Sequence, residues 1–480
     1  MAQTHGDRLS AIDASFLAQE RANSHMHVGA VLIFDGPSPD YDQFLTHIRS
    51  RLHLVPRYRQ KLAFPPLETG RPVWVDDPTF NLSYHVRHTA LPHPGSEEQL
   101  RALAARIHSQ RLDRAKPLWE TWLVQGLEGG RFALISKSHH ALVDGISGVD
   151  MMTVLFDPSP ETLRPQHPGE PWVARPEPSP VALAARGVRG LARLPFDLAG
   201  RALSASAHPG RALDDAREAL EGIGEVAWAA LNPAPSTPLN VPIGPHRRLA
   251  FVRNELADFK LVKNTFGGTV NDVMLTVVAG GLRRWLRSRG VRTEGLELRA
   301  LVPVSIRAKD EHHQLGNRIV AMRAPLPVYV EDPVARLRVV RAAMEGLKES
   351  KQAVGAETIT ALEALAPPTI LAQASRLQFS TRLFNLLVTN VPGPQLPLYV
   401  LGRELRDLFP IAFLPENQSL AVAIISYNGG IDFGLLGDYD AMPDIAEFAE
   451  ALDVSLTELV DAARAEAAPK RRRANVKAIS

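Results

Sequence analysis

The chain of 480 residues contains no cysteine. Thiol nucleophiles, disulfide bonds and cysteine-ligated metal sites are therefore excluded, and the composition fits a reducing compartment such as the cytoplasm. Neither sign of charge is in excess, because 54 lysines and arginines stand against 52 aspartates and glutamates, a formal net charge of +2. No bulk positive field argues for nucleic acid as a partner, although local basic patches can still bind a phosphate-bearing ligand.

Long apolar runs are also missing. No stretch reaches the ~18 consecutive apolar residues typical of a membrane-spanning helix, and residues 1–13 are polar and lack the apolar core of a secretion signal. We therefore expect no transmembrane segment and a cytoplasmic location. Contact with lipid would then be peripheral, at the inner membrane or at the surface of lipid inclusions.

The composition that is present is that of a globular protein, with 45% hydrophobic and 22% charged residues. The chain is long for a single hydrophobic core, so two domains are the default expectation. Strand-like and helix-like segments are interspersed, which predicts an α/β (α+β) fold with mixed sheets. Turn signals predict two antiparallel hairpins, one that pairs 120–127 with the strand from Phe132 and one that turns at 428–430.

Two proline-rich stretches divide the chain. Eight prolines lie between Pro158 and Pro180, and residues 232–245 form a second such stretch. Both read as stiff, poorly helical connectors. The resulting division is an N-terminal domain over 1–157, a linker over 158–245, a C-terminal domain over 246–468 and a basic tail over 469–480.

Residues 181–231 of the linker are rich in alanine, leucine and arginine, which predicts helices. Their apolar faces either pack on the domains or meet a lipid surface. The basic tail allows two readings as well, disorder or attraction to anionic lipid.

The most informative stretch is Ser138-His139-His140-Ala141-Leu142-Val143-Asp144-Gly145. It follows a strand-like run, 132–136, and precedes a helix-like run, 146–156. Because neighbouring side chains on a strand point to opposite faces, only one of the two histidines can face a given cleft. Gly145 suits a tight turn.

This arrangement fits proton transfer. A neutral imidazole is the side chain best matched to taking a proton from an alcohol or an amine near physiological pH. Asp144, four positions after His140, could fold back to orient that ring or could anchor the loop.

A second candidate lies at the start of a long helix in the C-terminal half, predicted over 273–289. Thr269 and Asp272 have the spacing of a capping box, which gives Asp272 a structural explanation. Asn271 is less well explained by capping. Its amide could donate a hydrogen bond to a developing oxyanion, or it could be structural.

The pattern His-His-x-x-x-Asp-Gly at 139–145 resembles the active-site motif of the acyl-CoA-dependent acyltransferases related to chloramphenicol acetyltransferase. The whole chain, from about residue 10 to about residue 460, is similar to the bacterial wax ester synthase/diacylglycerol acyltransferase family. The further segments that carry this resemblance are His25–Gly29, Pro117–Trp119, Asn271-Asp272, Val302–Arg307, Gly316-Asn317 and Asn390–Pro394.

The resemblance implies two chloramphenicol-acetyltransferase-like domains with the active site in the cleft or tunnel between them. It implies transfer of a fatty acyl group from acyl-CoA to a long-chain alcohol or to diacylglycerol, giving a wax ester or triacylglycerol. His140, the second histidine, would be the general base. Asp144 would orient its ring or anchor the loop, and Asn271 would donate a hydrogen bond to the oxyanion. His139, Gly145 and Asp272 would be structural. Acyl-CoA would be a substrate, and no permanently bound cofactor or metal is implied.

Other functions stay open at this point. A condensation-type enzyme shares the histidine motif but uses an amine acceptor and carrier-bound donors. A non-enzymatic lipid-binding protein and a metal hydrolase are further alternatives, and the latter would need a ligand in addition to Asp144 and one histidine. The sequence does not decide the acceptor, the acyl chain length, the residues that contact CoA or the oligomeric state.

Overall fold

The computed structural model describes residues 7–66, 70–142, 154–161, 172–185, 232–305, 319–349 and 383–477. Within these ranges the helices are α1 Ala11–Gln19, α2 Tyr41–Arg51, α3 Leu82–His85, α4 Glu97–Ser109, α5 Leu256–Phe266, α6 Val270–Ser288, α7 Pro333–Glu349 and α8 Ile445–Lys477. The strands are β1 His27–Phe34, β2 Gln60–Ala63, β3 Val73–Asp76, β4 Val86–Ala90, β5 Trp119–Gln125, β6 Phe132–His139, β7 Arg247–Glu255, β8 Leu298–Ser305, β9 Ile319–Leu326, β10 Leu386–Pro392, β11 Tyr399–Val400, β12 Arg403–Ile411, β13 Leu420–Tyr427 and β14 Gly430–Asp438.

Several helices begin at capping residues that the sequence displays. Ser10 accepts a hydrogen bond from the Asp13 backbone N–H at the start of α1. Ser96 opens α4 with a reciprocal capping box. These side chains satisfy N–H groups that a helix leaves unpaired in its first turn, so they fix where each helix begins.

The first large sheet has the order β11-β12-β1-β6-β5-β4 among the described residues. The predicted hairpin of β5 and β6 is confirmed as antiparallel, and β4 pairs with β5 in parallel, so the sheet is mixed. Strand β12 pairs with β1, which means that a segment from the C-terminal half completes the sheet of the N-terminal half.

The second large sheet has the order β7-β14-β13-β10-β8-β9 in the same part of the chain. It is mixed too, because β10 is parallel to both of its neighbours. The predicted hairpin is confirmed between β13 and β14. Asn428 and Gly429 at its turn both have positive φ, 43° and 87°, which this tight turn requires.

Buried side chains of the two sheets share one apolar cluster, and strand β12 of the first sheet contacts the second directly. Phe251 of β7 stacks on Phe409 of β12 with ring centroids 4.1 Å apart and an interplanar angle of 4°. Gly434 of β14 lies so close to β12 that a Cβ there would sit 1.7 Å from the Pro410 carbonyl oxygen. The Asp432 carboxylate accepts a hydrogen bond from the Leu408 backbone N–H, and burial raises its pKa to about 7.

Helix α8 ends later than the sequence predicts. We expect a closing helix that stops at Ala465, whereas the helical backbone runs to Lys477, through the basic segment. No helix in the described ranges has both the length and the hydropathy to cross a membrane. Most of the predicted helix 146–156 lies outside the described residues, as do residues 186–231 of the predicted linker helices. The sequence also predicts a helix at 358–377, and this segment lies outside the described residues too.

Candidate active site

The histidine pair lies where strand β6 ends. His139 is the last residue of β6 and is in register with His27 of β1. The backbone N–H of His139 donates to the carbonyl of Leu118 (2.9 Å), and that of His140 donates to the carbonyl of Met26 (2.7 Å). Three of the segments that carry the family resemblance therefore meet at one place.

Gly29 permits the close approach of β1 and β6 beside this pair. A Cβ at Gly29 would lie 2.0 Å from the Ser136 carbonyl oxygen and 2.8 Å from Cε1 of the His108 ring. Because the first of these atoms belongs to the backbone, it cannot turn aside. A side chain at residue 29 would force β1 away from the strand that carries the histidines.

His139 is packed inside the protein and is only 1% exposed. Its Nδ1 accepts a hydrogen bond from the Ala141 backbone N–H (3.0 Å), so the proton of the neutral ring resides on Nε2. That nitrogen lies 3.7 Å from Oε2 of Glu20. Burial lowers the pKa of His139, and its contact with Glu20 opposes the shift.

Glu20, the residue that follows α1, is the functional candidate that sequence reasoning missed. Its carboxylate is buried and accepts hydrogen bonds from Arg111 (3.2 Å) and from Nε of Arg114 (2.8 Å). Burial alone would raise its pKa, but the contact with His139 and the charge of Arg114 outweigh burial and hold the pKa below the usual range. Glu20 is therefore an anion at neutral pH, directly behind the histidine pair.

His140 occupies a different environment. Its ring stacks on Phe16 at 3.8 Å between centroids and meets the edge of Phe413 at 5.7 Å. The residue is partly exposed, although its Nδ1 is buried and has no hydrogen-bond partner among the described residues. Burial and, to a lesser extent, the neighbouring His139 lower the pKa of His140 to about 4. The ring is neutral at physiological pH and can accept a proton.

Further histidines surround the pair. The rings of His25 and His27 are 5.3 Å apart, and those of His27 and His139 are 5.9 Å apart. Burial lowers the pKa of His25, His27 and His108, and the nearby ammonium of Lys137 lowers the last two further. The site is therefore lined by uncharged imidazoles. No three histidine or acidic side chains of the described residues are arranged to hold a metal ion.

Asp272 has the structural role that its spacing predicts. Its Oδ2 accepts a hydrogen bond from the Thr269 backbone N–H (2.7 Å), and its own N–H donates to Thr269 Oγ1 (3.2 Å). This is a complete capping box, which starts α6 at Val270, three residues before the predicted start.

Asn271 meets another segment of the family resemblance. Its Oδ1 accepts a hydrogen bond from Nδ2 of Asn390 in β10 (3.1 Å). This bond uses the amide oxygen and does not engage the Nδ2 of Asn271, which is the atom that can donate to a ligand. No hydrogen bond or ring contact within the described ranges joins Asn271 to His140, so an oxyanion role for Asn271 stays a prediction.

Asp144 and Gly145, which the sequence places next to the histidines, lie outside the described residues. The structure follows the chain to Leu142, whose backbone N–H donates to the carbonyl of His139, and again from Val154. The predicted roles of Asp144 and Gly145 therefore stay predictions. Among the described residues, Glu20 is the carboxylate beside the pair.

The chain is similar to known proteins along nearly its whole length. Residues 9–274 match the family model of the wax ester synthase/diacylglycerol acyltransferase catalytic domain, and residues 315–460 match the C-terminal domain of the same family. A probable diacylglycerol O-acyltransferase of Mycobacterium tuberculosis is 34% identical over 470 residues, which are 97% of this chain and 98% of the relative.

Solved structures agree with these matches. The wax ester synthase/diacylglycerol acyltransferase of Marinobacter aquaeolei VT8 superimposes with a TM-score of 0.68 at 28% identity, over 95% of this chain and 99% of that one. A starter condensation domain of rhizomide synthetase, in complex with C8-CoA, gives a TM-score of 0.56 at 13% identity over 95% and 96% of the two chains. At that identity the second likeness indicates a shared fold.

Proposed function

The chain belongs to the wax ester synthase/diacylglycerol acyltransferase family, and from this premise we propose that it moves a fatty acyl group from acyl-CoA to a lipid hydroxyl. The acceptor is a long-chain alcohol or diacylglycerol, and the product is a wax ester or triacylglycerol. Condensation-type chemistry is not favoured, because the relatives that match in sequence are named as diacylglycerol acyltransferases.

One observation carries the proposed mechanism: His140 is an uncharged, partly exposed imidazole set between two phenyl rings. It removes the proton from the acceptor hydroxyl as the oxygen attacks the thioester carbonyl. The C–S bond of the tetrahedral intermediate then breaks, and His140 returns the proton to the departing CoA thiolate. The proton count balances, and neither a cysteine nor a covalent acyl-enzyme is needed.

The surroundings of the other histidine support this assignment. Nδ1 of His139 already accepts a hydrogen bond from the Ala141 N–H, and its Nε2 faces the Glu20 carboxylate. A lipid hydroxyl would have to displace one of these groups in order to reach a ring nitrogen of His139. The ring of His140, in contrast, packs against apolar side chains. The Nδ1 of His140, unlike that of His139, has no hydrogen-bond partner among the described residues.

Glu20 acts as a positioning residue in this mechanism. Its negative charge holds His139 in the tautomer with the proton on Nε2, and it favours the positive charge that develops on the adjacent His140 during proton transfer. Arg111 and Arg114 keep the carboxylate ionised. Asp144 is the other candidate for this task.

Asn271 is proposed as a donor to the tetrahedral oxyanion. Asn390 donates a hydrogen bond to the side-chain oxygen of Asn271 and so fixes the orientation of the Asn271 amide. The amino group of Asn271 then points away from Asn390, and we propose that it donates to the oxyanion. The Phe16 and Phe413 rings provide an apolar surface suited to the alkyl chain of an acceptor. Because such acceptors reside in lipid, we propose that the protein acts from the cytoplasm at the surface of a membrane or a lipid inclusion.

A donor-by-acceptor assay tests the function. Palmitoyl-CoA is offered with hexadecanol, with diacylglycerol or with an amine of the same chain length, and the lipids are identified by mass spectrometry. We expect ester products and free CoA in equal amounts, and no amide. Amide formation, or ester formation only from a carrier-bound donor, would contradict the proposal.

A further inference from the structure

A cavity of about 360 Å³ opens on the N-terminal half and shares none of its lining residues with the histidine site. Its floor contains the buried side chains of Leu52 and Leu82. Phe80 and Trp172 also line the cavity. Their rings pack edge to face, with the ring centroids 6.3 Å apart. The cavity therefore offers an apolar floor and wall to a ligand.

Two arginines give this cavity a positive charge. Arg59 lies 4.6 Å from the centre of the Trp172 ring, and its Nε is buried without a hydrogen-bond partner among the described residues. Arg49, in the last turn of α2, is exposed. Neither forms an ion pair with a described carboxylate; the charge of Asp76, which is itself bound by Arg175 and Gln60, acts on Arg59 from a greater distance. Both guanidinium groups can therefore bind an anion.

Two large apolar side chains are exposed within two positions of lining residues along the chain. Leu54 follows the floor residue Leu52 by two positions and is 51% exposed, and Val173 follows Trp172 and is 79% exposed. Single exposed hydrophobic residues are common, but here they adjoin, along the chain, a cavity that is lined by two arginines and a tryptophan, and we infer a recognition surface from this combination. We call Arg49, Arg59, Leu54, Trp172 and Val173 the docking face.

We propose that the docking face binds the protein to an anionic phospholipid bilayer. The phosphate of a lipid headgroup lies between Arg49 and Arg59, the Trp172 indole lies at headgroup depth, and Leu54 and Val173 enter the acyl region. Charge complementarity selects this partner: a free phosphate would leave the apolar residues unexplained, and an apolar protein partner would bury two arginines that form no ion pair with a described carboxylate. The inference rests on the proposed function, which requires an acceptor dissolved in lipid.

Vesicle flotation with the full-length protein tests this inference. The vesicles contain phosphatidylcholine alone or phosphatidylcholine with phosphatidylglycerol, and bound protein is measured at low and high salt. We expect binding to require phosphatidylglycerol and to weaken with salt. Each arginine near a membrane surface contributes about fivefold in affinity, so Arg49→Glu is expected to weaken binding by at least that factor. Trp172→Ala with Val173→Ser should also reduce it.

A matched variant controls for general surface effects. Arg338→Glu with Val454→Ser reverses one exposed arginine and removes one exposed valine in the C-terminal half. We expect this variant to bind as the unchanged protein does. Thermal unfolding of each variant confirms that the changes leave the fold intact.

Turnover separates this inference from the proposed function. With substrates dissolved in detergent, the docking-face variants should turn over at the unchanged rate, whereas with diacylglycerol in anionic vesicles they should be slower. Equal vesicle binding by all variants, equal binding to both kinds of vesicle, or displacement from vesicles by millimolar inorganic phosphate would overturn the inference. A protein that docks as expected but forms no ester would instead overturn the proposed function.

Discussion

Replacing Glu20 with glutamine removes one buried negative charge and keeps the size of the side chain. The carboxylate contacts His139, Arg111 and Arg114, so the change leaves two guanidinium groups without their anion. Loss of one partner in a fully buried ion pair costs about 3–5 kcal/mol. Both arginines are partly exposed and can turn towards water, so we expect a smaller loss, about 2 kcal/mol in the free energy of unfolding.

The same substitution is expected to slow the reaction. Glutamine still reaches His139, but it no longer stabilises positive charge at the histidine pair, so kcat should fall by about 10- to 100-fold with little change in KM for acyl-CoA. The pKa of Glu20 is depressed by folding. Its contribution to stability is therefore present above the pKa of an unfolded glutamate, about 4.3, and is lost as the pH falls below it.

Urea unfolding and steady-state kinetics at pH 5 to 8 measure both effects. Glu416→Gln is the matched control, because Glu416 pairs with Arg21 at 3.8 Å but is 62% exposed. That change should alter the free energy of unfolding by less than about 0.5 kcal/mol and leave kcat unchanged. If Glu20→Gln behaved like Glu416→Gln, the positioning role of Glu20 would be refuted.

Three further predictions follow from the packing and the pKa shifts. Gly29→Ala should lower the free energy of unfolding by at least about 3 kcal/mol, because the added Cβ would meet the Ser136 carbonyl oxygen. Gly346→Ala is the control: it lies in open space on α7 and should be neutral or stabilising. Equal effects of the two changes in urea unfolding would refute the packing argument. The pKa of His140 is lowered to about 4 in the folded protein, so the folded state favours the neutral ring and the free energy of unfolding should fall by up to about 3 kcal/mol as the pH drops from 6.5 towards 4. Over the same range kcat/KM should stay constant down to about pH 5. A decline of kcat/KM that begins near pH 6.5 would contradict the assignment. Asn271→Ala and Asn390→Ala should each slow turnover, and the double variant should be no slower than the worse single one; additive losses would show that the bond between the two amides is unimportant.

Local sequence signals predict the regular elements of this fold. The capping box of Thr269 and Asp272 and the Asn-Gly turn at residue 428 each depend on neighbouring residues, and both are present. Alternation along a strand predicts that the two histidines differ in environment. The structure buries His139 and leaves His140 partly exposed.

Contacts between distant segments could not be read in this way. Strand β12 joins the first sheet although it lies in the C-terminal half, and its sequence contains charged residues and a proline that obscure a strand pattern. Glu20 and Arg114 are separated by 94 positions. No periodicity links such residues, because only the tertiary fold brings them together. The resemblance to a family indicated the Asn271 and Asn390 segments, but not that they bond to each other.

The central claim is that the His140 imidazole moves the proton during acyl transfer. Single-turnover formation of ester from acyl-CoA by His140→Ala tests it most directly, with thermal unfolding to confirm that the variant is folded. We predict a rate at least about 100-fold below that of the unchanged protein, the loss typical of a removed general base. A folded variant that formed ester within a few-fold of the original rate would contradict the claim.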